Sequence, residues 1–468
     1  GGEGGGRGGG GGRGVVNGLR YDFVFGGSAQ IEAALEIAER ARSRAFELLL
    51  AQQRVQRNAD AAAAPPPTLP AVVDVAALRG LAGRQRVALV VFSQVSVTAL
   101  LAWVVRGGDA PIAFRELPVP GRGGASPLTQ LVEQTRQTIG VRARQGSTAR
   151  SAAVLSTPGA LREPSVDQKA IEAERGDGRA AAPDESYIRA ALARCYELLI
   201  APLGLSDGEP LLVIPDRDLL ALPFAALLDS DGKHLIERHS LRIAPSAGTL
   251  IELEQRAADR GAPPPSPPAL VVGDPDFSGW TIKGGGHLSQ LPGARAETTV
   301  VHGLLKTFKA KLRLDDEATK EAMMQLLPTS DVIHLATHGA PDGLNFAGES
   351  EAEATLSMAE VQGLDLRARL VVLSACDSFK APKGEGGSEL STDGVVGITR
   401  AFVAAGALTL VSSLWKVDDG ATLELMERFY TVWVASGDVA AALRAAMVGM
   451  IQERRSVREW AAFVVYGL

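Results

Sequence analysis

Cysteine is scarce in this sequence: Cys195 and Cys376 are the only two in 468 residues. Two thiols exclude a disulfide framework and a cysteine-based zinc site, and they fit a reducing, cytoplasmic compartment. Clustered basic charge is lacking too. With a net charge of -6 and no block of Lys and Arg, the chain has no footprint for a phosphate backbone, so no nucleic acid is expected as a direct ligand. Neither a GxxxxGK[ST] phosphate loop nor a GxSxG elbow occurs, which counts against NTPase and serine-hydrolase chemistry. Glycine fingerprints arise only trivially, in the Gly/Arg-rich start, and no cofactor is expected. The chain opens Gly-Gly rather than on Met or a signal-peptide core, so it reads as a fragment or a processed product.

An uninterrupted apolar span is also absent. The stretch VALVVFSQVSVTALLAWVV, Val87 to Val105, reaches the roughly 20 residues a helix needs to cross a bilayer. Yet Ser93, Gln94, Ser96 and Thr98 break its centre, and β-branched residues dominate it. Two strands joined near Ser93-Gln94 account for it better, and no membrane association is expected.

What is present is a globular composition, 46% hydrophobic and 22% charged, with length for two or three domains. Residues 1–27 begin as an almost pure Gly/Arg run and are expected to be disordered. A helix follows within 28–60, with Ile31, Ala34, Leu35, Ala38, Ala41, Ala45, Leu48 and Leu49 at helical spacing. Small residues alternate with larger ones on that face, as in helices that pack closely on other helices. AAAAPPPTLP closes the segment. Residues 72–261 read as a helix, strands and further helices, with a loose insertion at about 141–184. Cys195 falls in the apolar stripe of a helix beside Ala191, Leu192 and Leu199, where a buried small hydrophobe is the simplest reading. APPPSPP, Ala262 to Pro268, is a linker.

From 268 to 468 strands and helices alternate. ALVVGDP, DVIHLATHG, ARLVVLSAC and LTLVSSLWKV read as apolar strands, each followed by a helix. Such strands imply a mainly parallel sheet covered on both faces, an α/β architecture that binds ligands at the carboxyl ends of its strands. His338 ends one of these strands and Cys376 ends the next. A single helix lies between them, so a right-handed crossover makes the two strands neighbours. Alone, a His before Gly is a turn residue and a Cys ending an apolar strand is core. At matching strand ends they form a nucleophile and its base: the thiol, near ~8.5 when unperturbed, loses its proton to an imidazole near ~6.5. Gly339 leaves room for substrate, and the N–H groups of Gly339 and Cys376 are the candidate oxyanion donors. His334 stands four residues before His338, but HLATH lacks the zincin Glu and lies on a strand. It is read as a buried residue orienting the active edge, and no metal is expected.

VIHLATHG, then LVVLSACDS, then GVVGITRAFVAAGALTLVSSLWKVDDGAT, with LLVIPDRDLLALPFAALLD upstream, together resemble the CHAT domain, the caspase-like domain associated with tetratricopeptide repeats. The resemblance covers roughly residues 185–468. It implies a caspase-like three-layer fold in which an inactive half, 72–261, precedes a catalytic half, 268–468. It implies a Cys–His dyad peptidase on His338 and Cys376, and a last repeat-type helix before the domain, with protein partners bound through upstream repeats. It further implies an acid in the specificity pocket for Arg or Lys of a protein substrate. Asp377, Asp418 and Asp419 are the candidates, although Asp418 and Asp419 also suit a helix N-cap. The sequence departs from the family pattern after the cysteine: where a Thr-Gly pair is usual it has DSFKAPKGEGGSELSTDG, a lid or self-cleavage loop with Lys380 and Lys383, or an insertion. The alternative to a peptidase is a catalytically silent, regulatory protein-interaction module.

Overall fold

A computed structural model describes residues 11–16, 19–24, 27–57, 73–119, 127–141, 185–279, 288–340, 343–375 and 397–468. Its frame is one sheet of eleven strands. In chain order these are β3 (Ala88–Gln94), β4 (Ala99–Val105), β5 (Ala113–Pro118), β6 (Leu211–Ile214) and β7 (Leu241–Ile243). They continue with β8 (Pro268–Pro275), β9 (Lys309–Asp315), β10 (Val332–Ala336), β14 (Leu370–Leu373), β15 (Thr409–Ser413) and β16 (Phe463–Gly467). The spatial order is β5-β4-β3-β6-β7-β16-β15-β14-β10-β8-β9. Strands from residues 72–261 therefore fill one side, and those from 268–468 fill the other.

The central strands are buried along their whole length because helices cover both faces. β3, β10 and β14 show no exposed residue, which is why they read as apolar runs rather than as alternating ones. On one face of the first half lie α1 (Ser28–Arg57), α2 (Val75–Gln85) and α5 (Ala247–Arg260), burying Leu35, Leu78 and Leu250 against Leu89, Val91 and Trp103. On the other face α3 (Pro127–Thr138) and α4 (Glu185–Leu199) join the main core. In the second half α6 (Pro292–Leu304) packs on α10 (Asp419–Ser436), and α8 (Met358–Gly363) on α9 (Gly397–Ala405). The helices α7 (Lys320–Leu326) and α11 (Val439–Gln452) complete the layers.

The stretch from Val87 to Val105 is two antiparallel strands, as its polar centre requires. The reversal falls at residues 95–98, slightly beyond Ser93-Gln94, which stay in β3. No helix among the described residues is long and apolar enough to cross a membrane.

One expectation is corrected at the start of the chain. Residues 11–24, placed in a disordered segment by composition, form an antiparallel pair, β1 (Gly11–Val16) with β2 (Leu19–Val24). The overlooked signal is Asn17-Gly18 between VV and LRYDFV, the dipeptide most favoured at a two-residue hairpin turn. The insertion from 142 to 184 lies outside the described residues.

β16 is the second addition. It runs antiparallel to β15 and parallel to β7, so it joins the two halves through the register Tyr466↔Ile243. Arginines reinforce the joint by donating to backbone carbonyls across it. Arg260, ending α5, reaches the carbonyls of Leu366, Arg367 and Ala368 at 3.0–3.2 Å and that of Gly406. Arg136 donates to Leu414, and Arg444 to Ile236.

Candidate active site

The site is assembled at the carboxyl edge of β8, β10 and β14, which are mutually parallel. β10 stops at Ala336 because Thr337 turns its hydroxyl onto the carbonyl of Asn345, and Asn345 N–H donates to His338 O at 3.0 Å. The chain thus leaves the sheet into a small antiparallel ribbon of β11 (Gly339–Ala340), β12 (Gly343–Asn345) and β13 (Thr355–Ser357). Gly343 is required there: a Cβ would overlap the Leu356 carbonyl oxygen.

His338 is half-buried at this exit. Its Nε2 lies 2.8 Å from the Ser289 carbonyl oxygen. A carbonyl only accepts, so Nε2 carries a hydrogen and, in the neutral ring, Nδ1 holds the lone pair. The ring packs on buried Phe277, with centroids 5.1 Å apart. Ser289 is itself held in place by the end of β8. The buried carboxylate of Asp274 accepts from Leu291 N–H at 2.6 Å and from Arg295 Nε at 2.8 Å. Gly273, one residue earlier, lets α6 come down onto the strand, since a Cβ would strike the Thr298 side chain at 2.6 Å. The segment that orients the imidazole is therefore tied to both the strand and the helix beside it.

The trans peptide linking His338 to Gly339 sets the direction of the next donor. Because His338 C=O points at Asn345, the Gly339 N–H points the other way, off the ribbon, and Gly339 is exposed. Beside β10, Ser374 N–H donates to Leu335 O at 2.9 Å, and Ala375 O accepts from the Ser413 hydroxyl at 2.8 Å. Ala375 is the last described residue of that exit. Cys376, Asp377, Lys380 and Lys383 lie outside the described residues.

The remaining candidates divide. Asp418 is the N-cap of α10, its Oδ1 accepting from Gly420 and Ala421 N–H at 3.0 and 3.3 Å. Asp419 lies against the backbone of Gly293, in the first turn of α6 and just past the segment that holds His338. His334 is fully buried on β10: its Nδ1 is 3.1 Å from the Tyr430 hydroxyl, and its Nε2 is 3.2 Å from Glu297 Oε1. Glu297 Oε2 accepts from the Ser374 hydroxyl at 3.0 Å. Burial, and then the charge of Glu297, hold the Tyr430 phenol well above its ordinary range, so it remains a donor. Among the described residues no group of three or more His, Cys, Asp or Glu could hold a metal ion.

Ser289, Asp274, Glu297 and Tyr430 were not anticipated from sequence. Ser289 acts through its backbone and leaves no residue-type signal. Asp274 has one: an acid directly after an apolar strand, in LVVGDP. Glu297 and Tyr430 sit in ordinary helical stretches and become visible only once α6 and α10 are packed on β10.

Comparison with known proteins places this arrangement. The model of the CHAT domain matches residues 189–468. Tetratricopeptide repeat protein 28 of Homo sapiens is 24% identical over 93% of this chain, and the Mus musculus protein of the same name is likewise 24% identical over 93%. The chain spans about a fifth of their length, 21% and 22%. Among solved structures, the Saccharomyces cerevisiae separase–securin complex aligns with a TM-score of 0.54 at 12% identity, covering 94% of this chain and 34% of that one. That likeness shows the same caspase-like fold of separase. With the family's model covering both the first-half strands β6 and β7 and the whole second half, the chain belongs to the CHAT domain family.

Proposed function

We propose that this chain is a cysteine endopeptidase in which Cys376 is the nucleophile and His338 its base. One observation carries the reading: His338 Nε2 is committed to the Ser289 carbonyl, which leaves Nδ1 to take a proton from a thiol. The register supports the partner. β10 and β14 pair with a constant separation of 38 residues, Val332 with Leu370 through Leu335 with Leu373, and His338 and Cys376 are 38 residues apart in the sequence.

In this reading the Cys376 thiol proton passes to His338 Nδ1 as sulfur bonds to the substrate carbonyl carbon. The oxyanion is met by the N–H of Gly339 and of Cys376. The C–N bond then breaks, the amine leaves with the proton from His338, and a thioester remains. Water, deprotonated by the same Nδ1, cleaves the thioester and returns the thiol. Asp274, through Leu291 and Arg295, keeps Ser289 in place behind the imidazole.

Cleavage after Arg or Lys needs a carboxylate at the rim. Asp418 commits Oδ1 to its cap, which favours Asp419 and Asp377. The likeness to tetratricopeptide repeat protein 28 and to the separase–securin complex supports a protein partner for the repeat-type helix α1 and a protein substrate.

The test is hydrolysis of a peptide library varied at the residue before the scissile bond, comparing the chain with Cys376→Ala. Cleavage after Arg or Lys that vanishes in the variant supports the whole proposal. Cleavage after another residue keeps the dyad and removes the acidic pocket. Equal cleavage by both removes the dyad, and no cleavage by either supports the catalytically silent module.

A further inference from the structure

We propose that Glu297, packed beside His334 and Tyr430, positions the exit of β14 through Ser374 and thereby sets the reactivity of Cys376, two residues further along the sequence. The inference deepens the peptidase reading and rests on it. It starts from an anomaly in the core. β10 and β14 are otherwise apolar, yet a carboxylate, an imidazole and a phenol are packed between them and the helices α6 and α10. Glu297 is 4% exposed, and His334 and Tyr430 are 0%. Burying such groups costs free energy that apolar side chains of equal size would avoid.

One hydrogen bond ties this buried group to the end of β14. A carboxylate only accepts, so the Ser374 hydroxyl donates to Oε2 at 3.0 Å. Oε1 faces His334 Nε2 at 3.2 Å, a close polar contact without hydrogen-bond geometry. His334 Nδ1 in turn lies 3.1 Å from the Tyr430 hydroxyl. The three buried groups are contiguous, and Ser374 lies at their outer end.

Ser374 is where this network leaves the core. It is two residues before Cys376 in sequence, and its N–H is already fixed on Leu335 O. Backbone and side chain of Ser374 are thus both held. Ala375, held by Ser413, adds a second clamp. Glu297 touches no substrate in this account. It acts through Ser374, as a positioning residue.

Thiol alkylation tests this without a known substrate. The rate of iodoacetamide capture by Cys376 is measured in the full chain and assigned by mass mapping, well below the Tm of each variant. Cys195 is buried, its thiol pushed up to about 11 mainly by desolvation, and mapping separates it. Ser374→Ala is expected to slow capture about three- to tenfold, the net worth of one typical intramolecular hydrogen bond. Ser374→Thr, which keeps the hydroxyl, restores the rate to within about twofold of the original. Glu297→Leu reproduces the Ser374→Ala rate, and should it not fold, the Ser374 pair still decides. An unchanged rate in Ser374→Ala, or a Ser374→Thr rate as slow as that of Ser374→Ala, overturns the proposal, because a purely structural network lowers Tm without being rescued at the thiol. His338→Ala reports on the dyad separately: capture that does not slow removes the dyad, while the Ser374 pair still decides whether Ser374 sets the reactivity of Cys376.

Discussion

The two halves of the sheet finish their strand ends differently. β3, β6 and β7 are parallel to β16, and β16 is antiparallel to β15, so the carboxyl ends of the two parallel sets emerge at opposite edges. In the second half that edge carries half-buried His338 and exposed Gly339. In the first half it is filled by α1. There Glu39, fully buried, accepts from Ala247 N–H at 2.7 Å at the start of α5 and pairs with Arg42 at 2.9 Å, and Arg42 donates to the Phe92 carbonyl. Asp216, just past β6, accepts from Gln94 N–H at 2.7 Å. Among the described residues, each polar group named at that edge is used to satisfy backbone. The difference shows that strand geometry provides a place for chemistry, and that the side chains at the exit decide whether it is used for chemistry or for closure.

The comparison breaks most visibly at the dyad. His338→Ala is expected to reduce peptide hydrolysis about a thousandfold or more, as removal of a catalytic base does in comparable nucleophile–base pairs, read from initial rates on the best library peptide. At the opposite edge, Glu39→Ala leaves Arg42 and the first N–H of α5 without their buried acceptor. A loss of about 3–5 kcal/mol is expected by urea unfolding, and a loss below about 1 kcal/mol would make α1 an accessory rather than part of the first half's core.

The joint between the halves is tested by Arg260→Ala, which frees the carbonyls of Leu366, Arg367, Ala368 and Gly406. About 1–3 kcal/mol is expected, together with loss of two-state coincidence between probes in the two halves if the arginines are what make the sheet one cooperative unit.

Acid should act first on the closed half. His234 and His239 both lie there, and burial holds both imidazoles below their ordinary range. The unfolded chain takes up protons near ~6.5 while the folded one does not, so their contribution is complete above that pH and is lost as pH falls through the folded values. Melting curves between pH 7 and 5 should show Tm falling, with a shallower slope in His234→Gln. The smallest effect belongs to Cys195→Ala, about 1 kcal/mol from lost packing in α4, measured by urea unfolding.

The amino-acid sequence determined the parallel α/β plan, because LVVL, and VIHLA apart from His334, are apolar and strands covered on both faces read that way. It offered the candidate dyad as well, since the apolar runs that lead up to His338 and to Cys376 can be read directly. It also contained the Val87–Val105 hairpin and the N-cap at Asp418. The tertiary structure alone decided that β16 closes the two halves into one sheet, because a terminal antiparallel strand has no local signature of its partner. It alone brought Ser289, Asp274, Glu297 and Tyr430 to the site. Ser289 acts through a carbonyl that every residue possesses, and the others reach the edge only when α6 and α10 are laid against β8 and β10. Residue type and spacing encode what a strand end can do; which backbone atoms and buried charges stand behind it is a property of packing, which no local pattern records.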